Sequence, residues 1–279
     1  MPTINTNVAA IKARSNLDKV QRDMDTSIAR LSSGKRITRA HDDAAGSAIA
    51  GRMESQIRGL TAQIRNAKDA QAMVDTQEGA LQEVGAMLQR MRELAVQSAS
   101  GSLKSADRNY LDLELTQLFN EINAVSNNTK FNDTRVLTGA TFNFFTDIDA
   151  SGTAITTVAA SASAQNLMVS VTSVDISSVQ DATSTTGVQN SITKLDTAIG
   201  SIAAMRANLG AVSNRFDHVI DNLTNVVANT EGSKSRVEDA DFATETTALT
   251  RSTVLQQAAT SMVAQANAAK NTILALIQS

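Results

Sequence analysis

Pro2 is the chain's only proline, so past the second residue nothing in the sequence enforces a helix break, and helices of unusual length are permitted. Apolar positions recur in steps of three and four. Ile57, Leu60, Ile64, Ala67, Gln71, Val74, Glu78, Leu81, Val84, Leu88, Met91 and Ala95 make one such row, with Gln71 and Glu78 as its polar exceptions. Leu111, Leu115, Leu118, Ile122 and Val125 make a second, and Ile192 through Val226 a third. This spacing predicts helices with narrow apolar faces, packed along their length. Aromatic residues supply only 3% of the chain, so the core must be built from Ala, Leu, Ile, Val and Met, which suit closely packed helices.

Both ends carry the same signal. Ile4, Val8 and Ile11 begin a row that shifts register and resumes at Leu17, Val20, Met24, Ile28 and Leu31. Leu255, Ala259, Met262, Ala266, Ala269, Ile273 and Leu276 continue to the last turn before Ser279. Breaks are marked by Gly34 as a C-terminal stop, Asp42-Asp43 as an N-cap pair, the Ser/Gly-rich stretch 98–102, and an interruption from Asn229 to Asp241. From about Thr129 to Gly187 the chain turns Ser/Thr-rich and the heptads vanish. Phe142 to Phe145 and Met168 to Val174 have strand character, which reads as a small β-rich lobe or as a polar insert. The expected fold is mainly α, a long antiparallel helical bundle or coiled-coil rod with paired terminal helices and a small β-rich middle insert.

A helix from Ala44 to Ser98 would be about 80 Å long, whereas a compact globule of this chain length is roughly 50 Å across. Such a helix requires a rod, or an assembly in which several copies bury one another's apolar faces. An isolated amphipathic helix is marginal in water and exposes an adhesive stripe. This pattern suits a subunit that polymerises.

Chemistry finds little support. The absence of cysteine removes disulfide scaffolds, thiol catalysis and Cys-based metal sites. Of the two histidines, His41 beside Asp42 and Asp43 reads as part of a helix-cap cluster and His218 as a helix-surface or helix-seam residue. No glycine pattern fits a nucleotide loop, no cofactor or metal is implied, and the expectation is a protein without enzymatic activity. A net charge of −3 with mixed signs gives no field for nucleic acid. With neither a signal peptide nor a membrane-spanning run, these rules alone point to a soluble, cytoplasmic protein.

Particular residues then carry a resemblance. The N-terminal part contains Ile4-Asn5-Thr6-Asn7, Ser27-Ile28-Ala29-Arg30-Leu31-Ser32-Ser33-Gly34, Asp42-Asp43-Ala44-Ala45-Gly46, Gln56-Ile57-Arg58-Gly59-Leu60, Arg65-Asn66-Ala67, Glu78-Gly79-Ala80-Leu81 and Arg92-Glu93-Leu94-Ala95. The C-terminal part contains Leu209-Gly210-Ala211, Asn214-Arg215, Ser235-Arg236, Asp239-Ala240-Asp241-Phe242-Ala243 and Gln265-Ala266-Asn267. In these the chain resembles bacterial flagellin. It departs from the family pattern at Ser47, at Asp133, where Gly is common, and at Ala268-Ala269-Lys270.

The resemblance implies a structural subunit of the flagellar filament, a homopolymer serving swimming motility, exported through the flagellar type III apparatus with an export chaperone. Cap and hook-junction proteins are the implied partners. It replaces the cytoplasmic reading by an extracellular one, reached without a cleaved signal peptide. The implied domains are 1–33 with 246–279 as the inner filament core, 34–43 with 231–245 as connectors, 44–128 with 188–230 as a central rod, and 129–187 as an outer lobe. Assembly would run through Ile4, Val8, Ile11, Leu17, Val20, Met24, Ile28, Leu31, Leu255, Ala259, Met262, Ala266, Ile273 and Leu276. Charge complementarity between Lys35, Arg36 and Arg39 on one connector and Glu238, Asp239 and Asp241 on the other suggests that the connectors lie side by side. Gln89, Arg90, Glu93, Leu94 and Glu114 would form a surface met by a protofilament neighbour or an animal innate immune receptor. The nearest alternative is a hook–filament junction protein with flagellin-like ends; a cytosolic coiled-coil adaptor is the third class.

Overall fold

The computed structural model describes residues 6–139, 141–145, 154–158 and 186–278. Five helices occur among these: α1 (Val8–Ser33), α2 (Ala44–Ser98), α3 (Ser105–Asn128), α4 (Thr186–Glu238) and α5 (Phe242–Gln278). Four short strands accompany them, β1 (Lys130–Phe131), β2 (Thr134–Arg135), β3 (Thr141–Phe145) and β4 (Ala154–Val158), paired antiparallel as β1–β2 and β3–β4. The chain divides into two compact units, Met1–Ile57 with Ala228–Ser279, and Arg58–Val227.

In the unit Arg58–Val227 one continuous core joins three helices. Val74, Leu81, Val84, Leu88, Met91 and Ala95 come from α2, Leu115 and Ile122 from α3, and Leu195, Ala198, Ile202, Leu209 and Phe216 from α4. The buried face of α2 is wider than a single heptad row, because Ala70, Met73, Gln77 and Leu94 are buried as well. A helix that packs against two neighbours needs a broad apolar stripe. The polar exceptions of the row, Gln71 and Glu78, sit half-buried at its edge, where Gln71 donates to Asp217 (2.8 Å) and Glu78 pairs with Arg206 (3.3 Å). The fully buried Gln77 donates instead to the carbonyl of Val136 (3.0 Å), tying α2 to the loop that follows the first hairpin.

That hairpin pairs Lys130 with Arg135 and Phe131 with Thr134 across a two-residue turn. Asn132 and Asp133 both take positive φ, 46° and 62°, the mirror-image turn that matches strand twist. The second hairpin sets Phe142 and Phe144 against the helical core, and Phe144 meets Phe216 edge-on with centroids 5.8 Å apart. Strand character at Phe142 to Phe145 is therefore realised; Met168 to Val174 lies outside the described residues.

The hinge expected from Asn229 to Asp241 is not a break for most of its length, since α4 runs unbroken through Gly232 to Glu238. Ser233 returns its hydroxyl to the carbonyl of Asn229 (2.8 Å), and Lys234 pairs with Glu238 one turn on (3.7 Å). One glycine without a proline is too weak to stop a helix that is packed along one side. The non-helical connection is only Asp239–Asp241, and α5 starts at Phe242.

Candidate assembly interface

Within the unit formed by the chain ends, α1 packs along α5. Asn7 begins α1 by accepting the N–H of Ala10 (3.1 Å), which relieves one of the orphan donors of the first turn. The same side chain donates to the carbonyl of Ala266 on α5 (3.0 Å). Gln256 donates to Gln21 (2.6 Å), and Arg30 pairs with Glu245 (3.0 Å), a carboxylate that is itself buried. These three ties fix the two helices as antiparallel in one register.

The inward residues of α1 are Ala10, Ala13, Leu17, Val20, Met24, Ser27 and Leu31, an alternation of steps of three and four with no register shift. Those of α5 are Glu245, Leu249, Ser252, Gln256, Ala259, Val263 and Ala266. The expected assembly residues therefore divide. Leu17, Val20, Met24, Leu31, Ala259 and Ala266 lie at or beside the α1–α5 contact. Val8 (51% exposed), Ile11 (59%), Ile28, Leu255 (47%) and Met262 (63%) do not. Ala and polar side chains share the contact with Leu17, Val20, Met24, Leu31, Leu249 and Val263, and a second set of large apolar residues is left facing outward. Ile4 and the side chains of Ile273 and Leu276 lie outside the described residues.

The connectors meet mainly through their backbones. Gly34 ends α1 with φ +70°, a left-handed conformation suited to glycine, and its N–H closes onto the carbonyl of Arg30 (2.8 Å). Ala240 N–H then donates to the Gly34 carbonyl (3.0 Å) and Arg36 N–H to that of Glu238 (2.6 Å), bracketing an isolated bridge between Lys35 and Asp239. Only Lys35 forms the side-chain pair foreseen across the connectors, with Glu238 at 2.6 Å. Arg36 instead donates to the Val237 carbonyl (2.7 Å) and faces Asp43 (3.7 Å). Arg39 contributes its backbone N–H to Asp42 (3.0 Å). Asp239 takes part through its backbone, and Asp241 caps α5, accepting from Ala243 N–H (3.0 Å) and the Thr244 hydroxyl (2.8 Å). Carboxylates this close to helix starts and turns satisfy local N–H groups before they reach across a gap.

Those bonds hold Asp241 below the usual carboxylate range, the Thr244 hydroxyl contributing most. Asp42 is lowered likewise, first by the N–H of Arg39 and then by Thr38. Lys234 links Glu54 of α2 to Glu238, and its ammonium is raised chiefly by the hydrogen bond to Glu54. Asp43 caps α2 through the N–H of Gly46 (2.8 Å). A side chain at Gly46 would collide with Asp43 and with Ile37, at 2.4 and 2.7 Å from an added Cβ, so the glycine lets the connector seat on α2. His41 is largely exposed and lies 3.1 Å from Asp42. Among the described residues no group of His, Asp and Glu could hold a metal ion.

In the other unit, Gln89, Arg90, Glu93 and Glu114 are exposed. Arg90 bridges the two acids, 2.8 Å from Glu114 and 3.2 Å from Glu93, and its hydrogen bond to Glu114 is the main cause of its raised pKa. Leu94 departs from that surface: it is 1% exposed and belongs to the core, on the second side of the broad α2 stripe. Arg108 gave no periodic signal, yet it is buried and donates to the carbonyls of Ser98 (3.0 Å) and Ser100 (3.2 Å), closing the end of α2 onto α3. A lone arginine one turn into a helix, just after a Ser/Gly break, was the available clue.

Long helices that satisfy one another only in part, with large apolar residues turned outward on both terminal helices, define a subunit built to associate. Comparison with known proteins gives the class its family. The model of the bacterial flagellin N-terminal helical region matches residues 4–142, and that of the C-terminal helical region residues 192–277. Flagellin of Halalkalibacterium halodurans is 37% identical over 99% of both chains, and flagellin A of Vibrio anguillarum 33% identical over 99% of both. Bacillus cereus flagellin, a crystal structure, is 33% identical over 60% of this chain and 94% of that one, with a TM-score of 0.49. A flagellar hook-associated protein from Vibrio parahaemolyticus shares the fold, with a TM-score of 0.61 over 71% of this chain and all of that one, at 14% identity. The chain belongs to the bacterial flagellin family. It is a structural subunit of the flagellar filament. Among the described residues no helix is long and apolar enough to cross a membrane.

Proposed function

We propose that this subunit polymerises through the outward rows of α1 and α5, with Val8, Ile11, Leu255 and Met262 buried against neighbouring copies in the extracellular filament. The observation that carries the reading is the division of side chains at the α1–α5 contact. The intrachain seam uses Leu17, Val20, Met24, Leu31, Leu249 and Val263 together with Ala, Ser, Gln and Glu, while Val8, Ile11, Leu255 and Met262 stay in water, at a cost of roughly 25 cal/mol for each Å² of apolar surface left exposed. No charged residue stands between Arg251 and Lys270, so that length of α5 can be dehydrated without stranding an ion.

The chain ends then form the inner core of the filament and α2–α4 an outer layer. The connectors transmit register between them through the Gly34–Ala240 and Lys35–Glu238 ties. Export by the flagellar type III apparatus with a chaperone, growth beneath a cap and attachment through junction proteins complete the reading. The exposed Gln89, Arg90, Glu93 and Glu114 are the residues offered to a protofilament neighbour or an innate immune receptor, without Leu94. Leu255→Asp should leave the subunit folded by circular dichroism and unable to extend filament seeds. Seeds extended by this variant as by the parent would sink the proposal. Parent subunits that bind seeds but stop after a few copies would favour a junction protein instead.

A further inference from the structure

Met262 differs from every other described methionine. Met73 and Met91 are buried and Met24, Met53, Met87 and Met205 are half-buried, whereas Met262 is exposed. It stands one heptad beyond Leu255 on the outward face of α5, with Val254 also exposed nearby. Ala258 and Gln265, a turn to either side of it, and the whole stretch between Arg251 and Lys270 are uncharged. Access governs thioether oxidation, and the sulfoxide replaces a flexible apolar side chain with a polar, chiral one.

We propose that Met262 is a peroxide-sensitive modification site that controls entry of the free subunit into the filament. The inference rests on the assembly reading above and names the residue through which that face is regulated. A peroxide transfers one oxygen to Sδ: the O–O bond breaks, sulfur is oxidised by two electrons, and the second oxygen leaves as water when the peroxide is hydrogen peroxide. The added oxygen is solvated by water on the free subunit and must be dehydrated when the outward face is buried, where it also makes an apolar contact bulkier and polar, so the oxidised subunit binds filament ends poorly. Incorporation covers Sδ, so the filament protects the residue that the monomer exposes. A dithiol reductase of the methionine sulfoxide class would return the oxygen to water while its thiols close to a disulfide.

Limiting hydrogen peroxide on the purified full-length subunit, followed by peptide mass mapping, should show Met262 gaining one oxygen before Met73 or Met91, with the helical circular dichroism kept. In seeded elongation the free concentration left at equilibrium should rise by roughly tenfold or more. Met262→Leu, exposed to the same peroxide, should elongate like untreated parent, and parent filaments should keep Met262 reduced for longer than free subunits. Oxidised subunits that elongate normally, Met262→Leu inhibited as strongly as the parent, or equal oxidation rates in filament and monomer would each overturn the inference. If Leu255→Asp is blocked while oxidised subunits still elongate, only this inference fails; if both elongate, the assembly face itself is wrong.

Discussion

The core of residues 58–227 and the contact between α1 and α5 are both helix pairings on a three-and-four spacing, yet they differ in how completely they bury their side chains. The first buries Leu, Met, Ile, Val and Phe on three helices; the second half-buries Leu, Val and Met among Ala, Ser and Gln and holds the Arg30–Glu245 ion pair. Large side chains in a closed core give a subunit stability of its own. At the α1–α5 contact polar ties fix register, while a second set of large apolar residues remains outward for other copies. One chain thus separates folding from assembly by where it spends its bulk.

The most severe test of this contrast is a pair of truncations. Leu88→Ala should lower the stability of the free subunit by about 2–5 kcal/mol, because the residue is fully buried. Leu255→Ala should leave the melt almost unmoved and weaken elongation instead. Equal losses of thermal stability in the two variants would erase the distinction.

Arg108→Met should cost about 1–3 kcal/mol in denaturant unfolding, since it leaves the carbonyls of Ser98 and Ser100 without their donor. An unchanged midpoint would mean water replaces the guanidinium, and that the α2–α3 corner is less closed than the core beside it. Asp133→Gly acts in the opposite direction. It relieves a non-glycine residue at φ 62° and should stabilise the same unit by about 0.5–1 kcal/mol after the entropy cost of glycine. Destabilisation there would show that the Asp133 side chain earns its strained backbone.

Acid should act on the terminal unit in a small way. Asp42 and Asp241 both titrate below the ordinary carboxylate value, so their contribution is complete above about pH 4, the unfolded value, and fades as pH falls through their lower native values. Asp42→Asn and Asp241→Asn together should flatten that acid limb. A parent whose connector resonances titrate at the unperturbed carboxylate pH would contradict these hydrogen bonds.

Much of the helical fold was legible because Val74, Leu81, Leu88 and the α4 row repeat strictly, and large side chains at helical spacing define a face whatever surrounds them. The terminal faces were legible in part: Leu17, Val20, Met24 and Leu31 do reach the α1–α5 contact, but hydropathy also weights Val8, Ile11 and Leu255 above Ala10, Ala13 and Ser27, and cannot tell which apolar residues turn inward. Leu94 was misplaced because a single row cannot reveal that α2 packs on two sides. Gly232 and Ser233 read as punctuation although α4 carries them within its length. In the connectors, opposite charge drew attention to proximity, but which groups bond there depends on nearby N–H groups that composition does not display.

Asn7 gives α1 a fixed zero on a ruler. Its carboxamide oxygen marks where the helix starts and its amide nitrogen finds a single carbonyl on α5, so starting and docking are measured by one side chain. A slip of one heptad along α5, about 10 Å, would preserve much of the apolar spacing while misaligning Asn7 with Ala266, Gln21 with Gln256 and Arg30 with Glu245 together. The pair therefore works as a vernier, in which three sparse graduations make every neighbouring alignment count as an error.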